Sequence, residues 1–132
     1  MYLKKYIVIL LLLLVGCSGE QTANVRFHTD FLSDQEAIKK IVKDEKKIVN
    51  ANVIGTEQWV LVTYEVLPQY RIQKSKIETD LTKKLKKEFP EGNFLVSGDF
   101  KIYYESKKIL DEDEKKVKKS IIKLKNLYEE ET

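Results

Sequence analysis

Few side chains in this 132-residue sequence are of types that carry covalent chemistry, and they lie far apart in the chain. Cys17 is the only cysteine and His28 the only histidine. A single thiol can make no disulfide within the chain and no Cys-based metal site. As a nucleophile it would need a base in reach. His28 sits in a polar stretch with no other ligand type around it, and reads as a solvated imidazole. The remaining candidates are charged. Asp111-Glu112-Asp113-Glu114 could gather Ca²⁺, but an EF-type loop spaces its ligands around a Gly turn and this run does not. It reads as the acidic start of a helix. Lys83, Lys84, Lys86 and Lys87 could touch anionic headgroups or wall polymers at about 1 kcal/mol per charge, although a solubilising face is the plainer reading. A metal-trafficking domain would need a CxxC or a His/Cys pair, and neither occurs. No metal, cofactor or catalytic residue is expected.

The surroundings of Cys17 decide its chemistry. Lys4 and Lys5 precede an apolar run, Tyr6 to Val15, which meets the small Gly16 and then the cysteine. A hydrocarbon core needs about 20 apolar residues to cross. This run is roughly half that, as a secretory signal is. Leu14-Val15-Gly16-Cys17 further resembles the lipobox of bacterial lipoprotein precursors. The resemblance implies that the Cys17 thiol is alkylated with diacylglycerol and the chain cut between Gly16 and Cys17. N-acylation of the new terminus, with a palmitate-type chain, would be a further step. Two acyl chains hold a protein on a bilayer where one is marginal. The expected organisation is a signal peptide over 1–16, a lipidated terminus and flexible tether over 17–33, and a single domain over 34–132.

Composition narrows the partners. Lys4 and Lys5 belong to the removed segment, and none of the 21 acidic residues does. The 24 basic residues thus fall to 22 against 21, a formal +1. That balance argues against a nucleic-acid binder, whose mark is a strongly basic domain. Charged residues at 34% and apolar ones at 42% suit a small domain with charged helices.

The elements that must position these side chains follow in order. Residues 18–31 have no clear period and read as tether, although Val25, Phe27 and Phe31 are spaced so that part of the stretch could lie on the domain. Ser33-Asp34-Gln35-Glu36 has capping-box form, and Ala37, Ile38, Ile41 and Val42 predict a helix over about 34–46. Residues 48–54 and 59–67 predict two strands joined by a turn at 55–58, an antiparallel hairpin. Trp59 is expected in the core. Pro68 ends the second strand. Ile77, Leu81, Leu85 and Phe89 predict an amphipathic helix from about 71, closed by Pro90 and Gly92. Asn93 to Gly98 predicts a third strand. Beyond it two readings compete: alternation through Phe100, Ile102 and Tyr104 continues the strand, whereas Ser97 or Asp99 capping a helix stacks Phe100, Tyr103, Tyr104 and Lys107. A last helix from Asp111 carries Val117, Ile121, Leu124 and Tyr128. Asp111, Glu112 and Glu114 each precede a lysine by four residues, and fraying is expected at Glu129–Glu131.

The resulting α+β order, αββαβα, together with the lipobox at 14–17, WVLVTYEV at 59–66, KIETDLTKKLKKEFPE at 76–91 and FLVSGDFKIY at 94–103, resembles the YhcN/YlaJ family of sporulation lipoproteins. The resemblance implies a three-stranded sheet with helices packed on one face, similar to BON-like and ferredoxin-like modules, and a helix opening near Asp99. Gly98 stands where the family pattern suggests a Thr- or Ser-like residue. What the resemblance implies functionally is a non-enzymatic lipoprotein on the outer face of the cell membrane or a spore membrane. Its part would lie in spore germination or outgrowth, and its partners would be the bilayer and a spore-envelope protein or anionic wall polymer. An accessory wall-modifying enzyme, or a general cell-surface lipoprotein unrelated to sporulation, are the alternatives.

Overall fold

A computed structural model describes Tyr6 and residues 23–28, 34–56, 58–112 and 114–131. Four strands form one mixed sheet: β1 (Asn24–His28), β2 (Ile48–Gly55), β3 (Val60–Val66) and β4 (Phe94–Ser97), in spatial order β1-β2-β3-β4. The helices are α1 (Gln35–Asp44), α2 (Lys74–Glu88), α3 (Phe100–Leu110) and α4 (Glu114–Glu131), with a 3₁₀ segment Pro68–Gln73 ahead of α2. The central pair β2–β3 is the expected antiparallel hairpin. Its turn is held by Thr56, whose Oγ1 accepts from the Trp59 N–H at 3.1 Å.

Two expectations are corrected. The sheet has four strands, because Asn24–His28, within the stretch read as tether, pairs in parallel with residues 50–54. Alternation supplies the reason: Val25 and Phe27 join the core on one face while Arg26 points to the other. The folded unit therefore includes the buried Ala23 and β1, ahead of the expected start at 34. Helices also cover both faces. Ile38 and Val42 of α1 and Ile77, Leu81 and Leu85 of α2 pack on Ala51, Val53, Val62, Tyr64 and Val96. On the opposite face Ile102 and Ile109 of α3 and Val117, Ile121 and Leu124 of α4 pack on Ile54, Trp59 and Leu61. Trp59 is core, as expected.

The strand order is also not the split arrangement of ferredoxin-like folds, in which another strand separates the two joined by a helix. Here β1–β2 and β3–β4 are adjacent parallel pairs running in opposite directions, and both connecting helices lie on one face. Geometry then requires crossovers of opposite hand, one of them the uncommon left-handed form.

The ambiguity after β4 resolves as a helix. Asp99 is the N-cap of α3 and its side chain accepts from the Ile102 N–H at 3.0 Å. At α1 Asp34 is the N-cap and makes no side-chain cap bond, and the capping box read from Ser33 lies outside the described residues. Helix α4 opens at Glu114 and runs to Glu131. Asp111 and Glu112 precede that helix, and the side chains of Lys115 and Lys118, the expected partners of Asp111 and Glu114, lie outside the described residues. Asp111 binds Arg26 at 2.7 Å and Glu112 accepts from Ser120 at 2.7 Å.

Candidate functional site

The sheet face under α3 changes character along its length. Toward the β2–β3 turn it is apolar, with Ile54, Trp59, Leu61 and the half-buried Leu95. Toward the start of β1 the same alternating positions carry Asn24, Arg26, Asn50, Asn52, Thr63, Glu65 and Ser97. A helix laid over such a surface must either satisfy it or leave a cleft, and α3 does both.

Its buried Ser106 satisfies the deeper part. Asn52 Nδ2 donates to Ser106 Oγ at 3.1 Å, Thr63 and Ser106 share a hydrogen bond of 2.6 Å, and Ser106 Oγ donates to the Tyr103 carbonyl at 2.6 Å. With Ser106 donating to a carbonyl, Thr63 is the donor in the shared bond. This cluster contains no base, and its hydroxyls are spent on one another. It fixes α3 on the sheet and is unsuited to nucleophilic attack.

Nearer the surface a cleft of about 370 Å³ opens between the sheet and α3, with Asn24, Arg26, Asn50, Glu65, Tyr103 and Lys107 in its lining. A second cleft of about 340 Å³ shares Glu65, Phe100 and Tyr103 with it and adds Arg71 and Lys74 from the α2 side. Glu65 accepts from Asn50 Nδ2 at 2.9 Å. Burial raises the Tyr103 hydroxyl above the usual tyrosine range, helped by Glu65 and opposed by Arg26. Phe100 and Tyr104, one turn apart on α3, stack at 5.9 Å between centroids and are 63% and 50% exposed. Lys108 Nζ lies over the Tyr104 ring, 5.4 Å from its centroid. Arg71, Lys74 and Lys107 have no carboxylate partner among the described residues. The arrangement can hold an anionic or ring-bearing ligand through cations, amides and aromatic faces. It does not pair a nucleophile with a base.

The sequence-expected site residues are distributed elsewhere. Cys17 and Gly16 lie outside the described residues. Lys83, Lys84, Lys86 and Lys87 are all exposed on the C-terminal half of α2. His28 ends β1, half-buried, opposite Ile54. Of the acidic run, Asp111 forms a salt bridge and Glu112 accepts a side-chain hydrogen bond, while Asp113 and the Glu114 side chain lie outside the described residues. Among the described residues no group of three His, Cys, Asp or Glu could hold a metal, and no helix is long and apolar enough to cross a membrane. The cleft residues were not singled out by sequence, because Asn24, Arg26 and Glu65 are brought together only by β1 pairing. The one legible signal was the run of polar residues at alternate positions, Asn50, Asn52, Thr63 and Glu65, in strands otherwise apolar.

A scan against family models matched nothing, and searches of curated proteins and of solved structures likewise found no match.

Proposed function

We propose that this chain is a lipid-anchored, non-enzymatic interaction module of the spore envelope, of the YhcN/YlaJ kind, acting in germination or outgrowth. The observation that carries the anchor is the ordered series Lys4-Lys5, ten apolar residues, Gly16 and Cys17. Residues 1–16 serve as the signal peptide, and Cys17 becomes the diacylated terminus on the outer leaflet. The sporulation assignment rests on the sequence resemblance alone. The interaction role is supported by the clefts beside α3, where partnerless cations and a stacked aromatic pair adjoin a polar floor.

The experiment is expression timing and location, with a C-terminal reporter on the wild type and on Cys17→Ala. Signal confined to sporulating cells, with only the wild type retained on the spore membrane, supports both parts. Synthesis throughout growth removes the sporulation role and leaves a general surface lipoprotein. Release of both forms removes the anchor.

One observation favours the wall-modifying alternative: Glu65 is a half-buried carboxylate held in a cleft beside Tyr103. Glycoside hydrolysis uses two such carboxyls, and the nearby Asp111 is tied to Arg26, so the binding reading is preferred.

A further inference from the structure

The strands and helices place particular residues at each end of the domain. The start of β1, the end of β3, the N-termini of α2 and α3 and the C-terminus of α4 all lie at one end. The Lys101–Glu131 pair, 3.8 Å apart, and the hydrogen bond from the Tyr64 hydroxyl to the Lys74 carbonyl at 2.7 Å join these elements there. The C-terminus of α2, the start of β4 and the β2–β3 turn lie at the other end, where Phe89 and Phe94 meet at 5.7 Å.

The first end has an unusual surface. Ile72 is 99% exposed, and it stands in the 3₁₀ segment between Arg71 and Lys74. Across the cleft that Arg71 and Lys74 line is the exposed Phe100, with Tyr104 stacked on it. Three of the carboxylates at this end are engaged within the protein. Asp99 caps α3, Glu65 accepts from Asn50, and Glu131 pairs with Lys101. Arg71 and Lys74 are left to face outward. Exposed single apolar residues are ordinary, but an aliphatic, a phenylalanine and a tyrosine grouped with uncommitted cations form the pattern of a lipid-interface contact.

Chain length says which end meets the bilayer. Six residue steps separate Cys17 from the buried Ala23, at most about 20–22 Å of chain. Helix α2 has 15 residues and is about 22 Å long. A connector no longer than one side of the domain cannot run from the membrane past the far end and still reach Ala23, unless every residue is drawn straight along the protein.

We infer that the end of the domain where β1 begins is seated on the lipid headgroups, with Ile72 and Phe100 in the interfacial layer and Arg71 and Lys74 on anionic headgroups. This rests on the proposed anchor at Cys17. In this seating Lys83, Lys84, Lys86 and Lys87, on the C-terminal half of α2, are held away from the bilayer and remain available to the aqueous side.

Because Cys17 is the only cysteine and its thiol is consumed by lipidation, a single introduced cysteine is a clean labelling site. The lipidated full-length protein would carry Ile72→Cys, Ile122→Cys or Lys87→Cys, labelled with an environment-sensitive fluorophore. Each would be reconstituted in 7:3 phosphatidylcholine:phosphatidylglycerol vesicles containing a lipid-borne quencher. Ile122 is 62% exposed on α4 and serves, with Lys87, as the reference. The expected result is blue-shifted, strongly quenched emission at position 72 and solvent-like emission at 122 and 87. Changing Arg71 and Lys74 to Glu should lower the docked-to-undocked ratio roughly fivefold per charge in these vesicles, with little change in pure phosphatidylcholine. Equal quenching at all three positions, or stronger quenching at 87, overturns the seating. Unchanged quenching after charge reversal overturns the role of the two cations. A wild-type Cys17 that itself takes a thiol label shows instead that the anchor reading has failed.

Discussion

At the scale of single residues, Gly98 and Tyr64 explain each other. A Cβ added at Gly98 would lie 2.8 Å from both Cζ and Oη of Tyr64, and that ring is buried and tied by its hydroxyl to the Lys74 carbonyl. The position that departs from the expected Thr or Ser is thus one where only a residue without Cβ leaves room for the ring. Gly98→Ala should cost about 1–3 kcal/mol of stability, read as a lowered urea midpoint, and the loss should shrink in a Tyr64→Phe background, where the hydroxyl is gone. No sequence pattern exposes this contact, because it joins β3 to the residue after β4. Burial also pushes the Tyr64 hydroxyl well above its ordinary range, with Glu78 and Glu45 adding to the effect, and Tyr128 is raised by burial as well. The sign follows directly. Unfolded tyrosines ionise near pH 10 while the native ones keep their protons, so the unfolded state sheds protons first and stability falls as pH rises through about 10. Urea midpoints measured at about pH 8 and about pH 11 should therefore diverge more in the wild type than in Tyr64→Phe. An equal drop in both would mean that Tyr64 ionises normally in the fold.

At the scale of elements, the start of α3 is the junction that periodicity alone left open. Alternating Phe100, Ile102 and Tyr104 fit a strand, and the same residues fit a helix with Phe100 and Tyr104 outside and Ile102 and Tyr103 inside. The structure takes the second course because Asp99 supplies a cap that the strand reading has no use for. Asp99→Ala should cost about 1 kcal/mol and reduce protection of the Ile102 amide in hydrogen exchange, whereas Asp99→Asn should cost far less. Equal losses in both would show that charge near the helix N-terminus, and not the accepted hydrogen bond, is what matters. The hairpin and α2 were legible because each carries one unbroken period, two for β3 and near four for Ile77, Leu81 and Leu85. Strand β1 was harder to read. Five residues with a half-buried pattern inside a polar stretch give a weak signal, and their pairing depends on β2, some twenty residues later. The second helical layer was missed for a related reason. Asn50, Asn52, Thr63 and Glu65 look like a solvent face, and only Ser106 arriving from α3 turns Asn52 and Thr63 into buried partners.

At the scale of the whole molecule, a sheet covered on both faces leaves its edges as the places where another chain could add. Val60 N–H donates to the Asn93 carbonyl, so residues 93, 95 and 97 face β3, and Phe94, Val96 and Gly98 turn their amides outward. The last two are met from within the chain. The Gly98 N–H faces the Glu78 carboxylate from α2, and the Val96 N–H faces the Tyr128 hydroxyl from α4. Two helices on opposite sides of the sheet thus each place a side chain on the β4 edge. A protein confined to a bilayer meets its own copies at far higher effective concentration than one free in solution, and an open strand edge in that setting would invite polymer growth across the membrane. On a lipid-anchored domain, as proposed above, the side chains of Glu78 and Tyr128 would stand against such growth at these two amides.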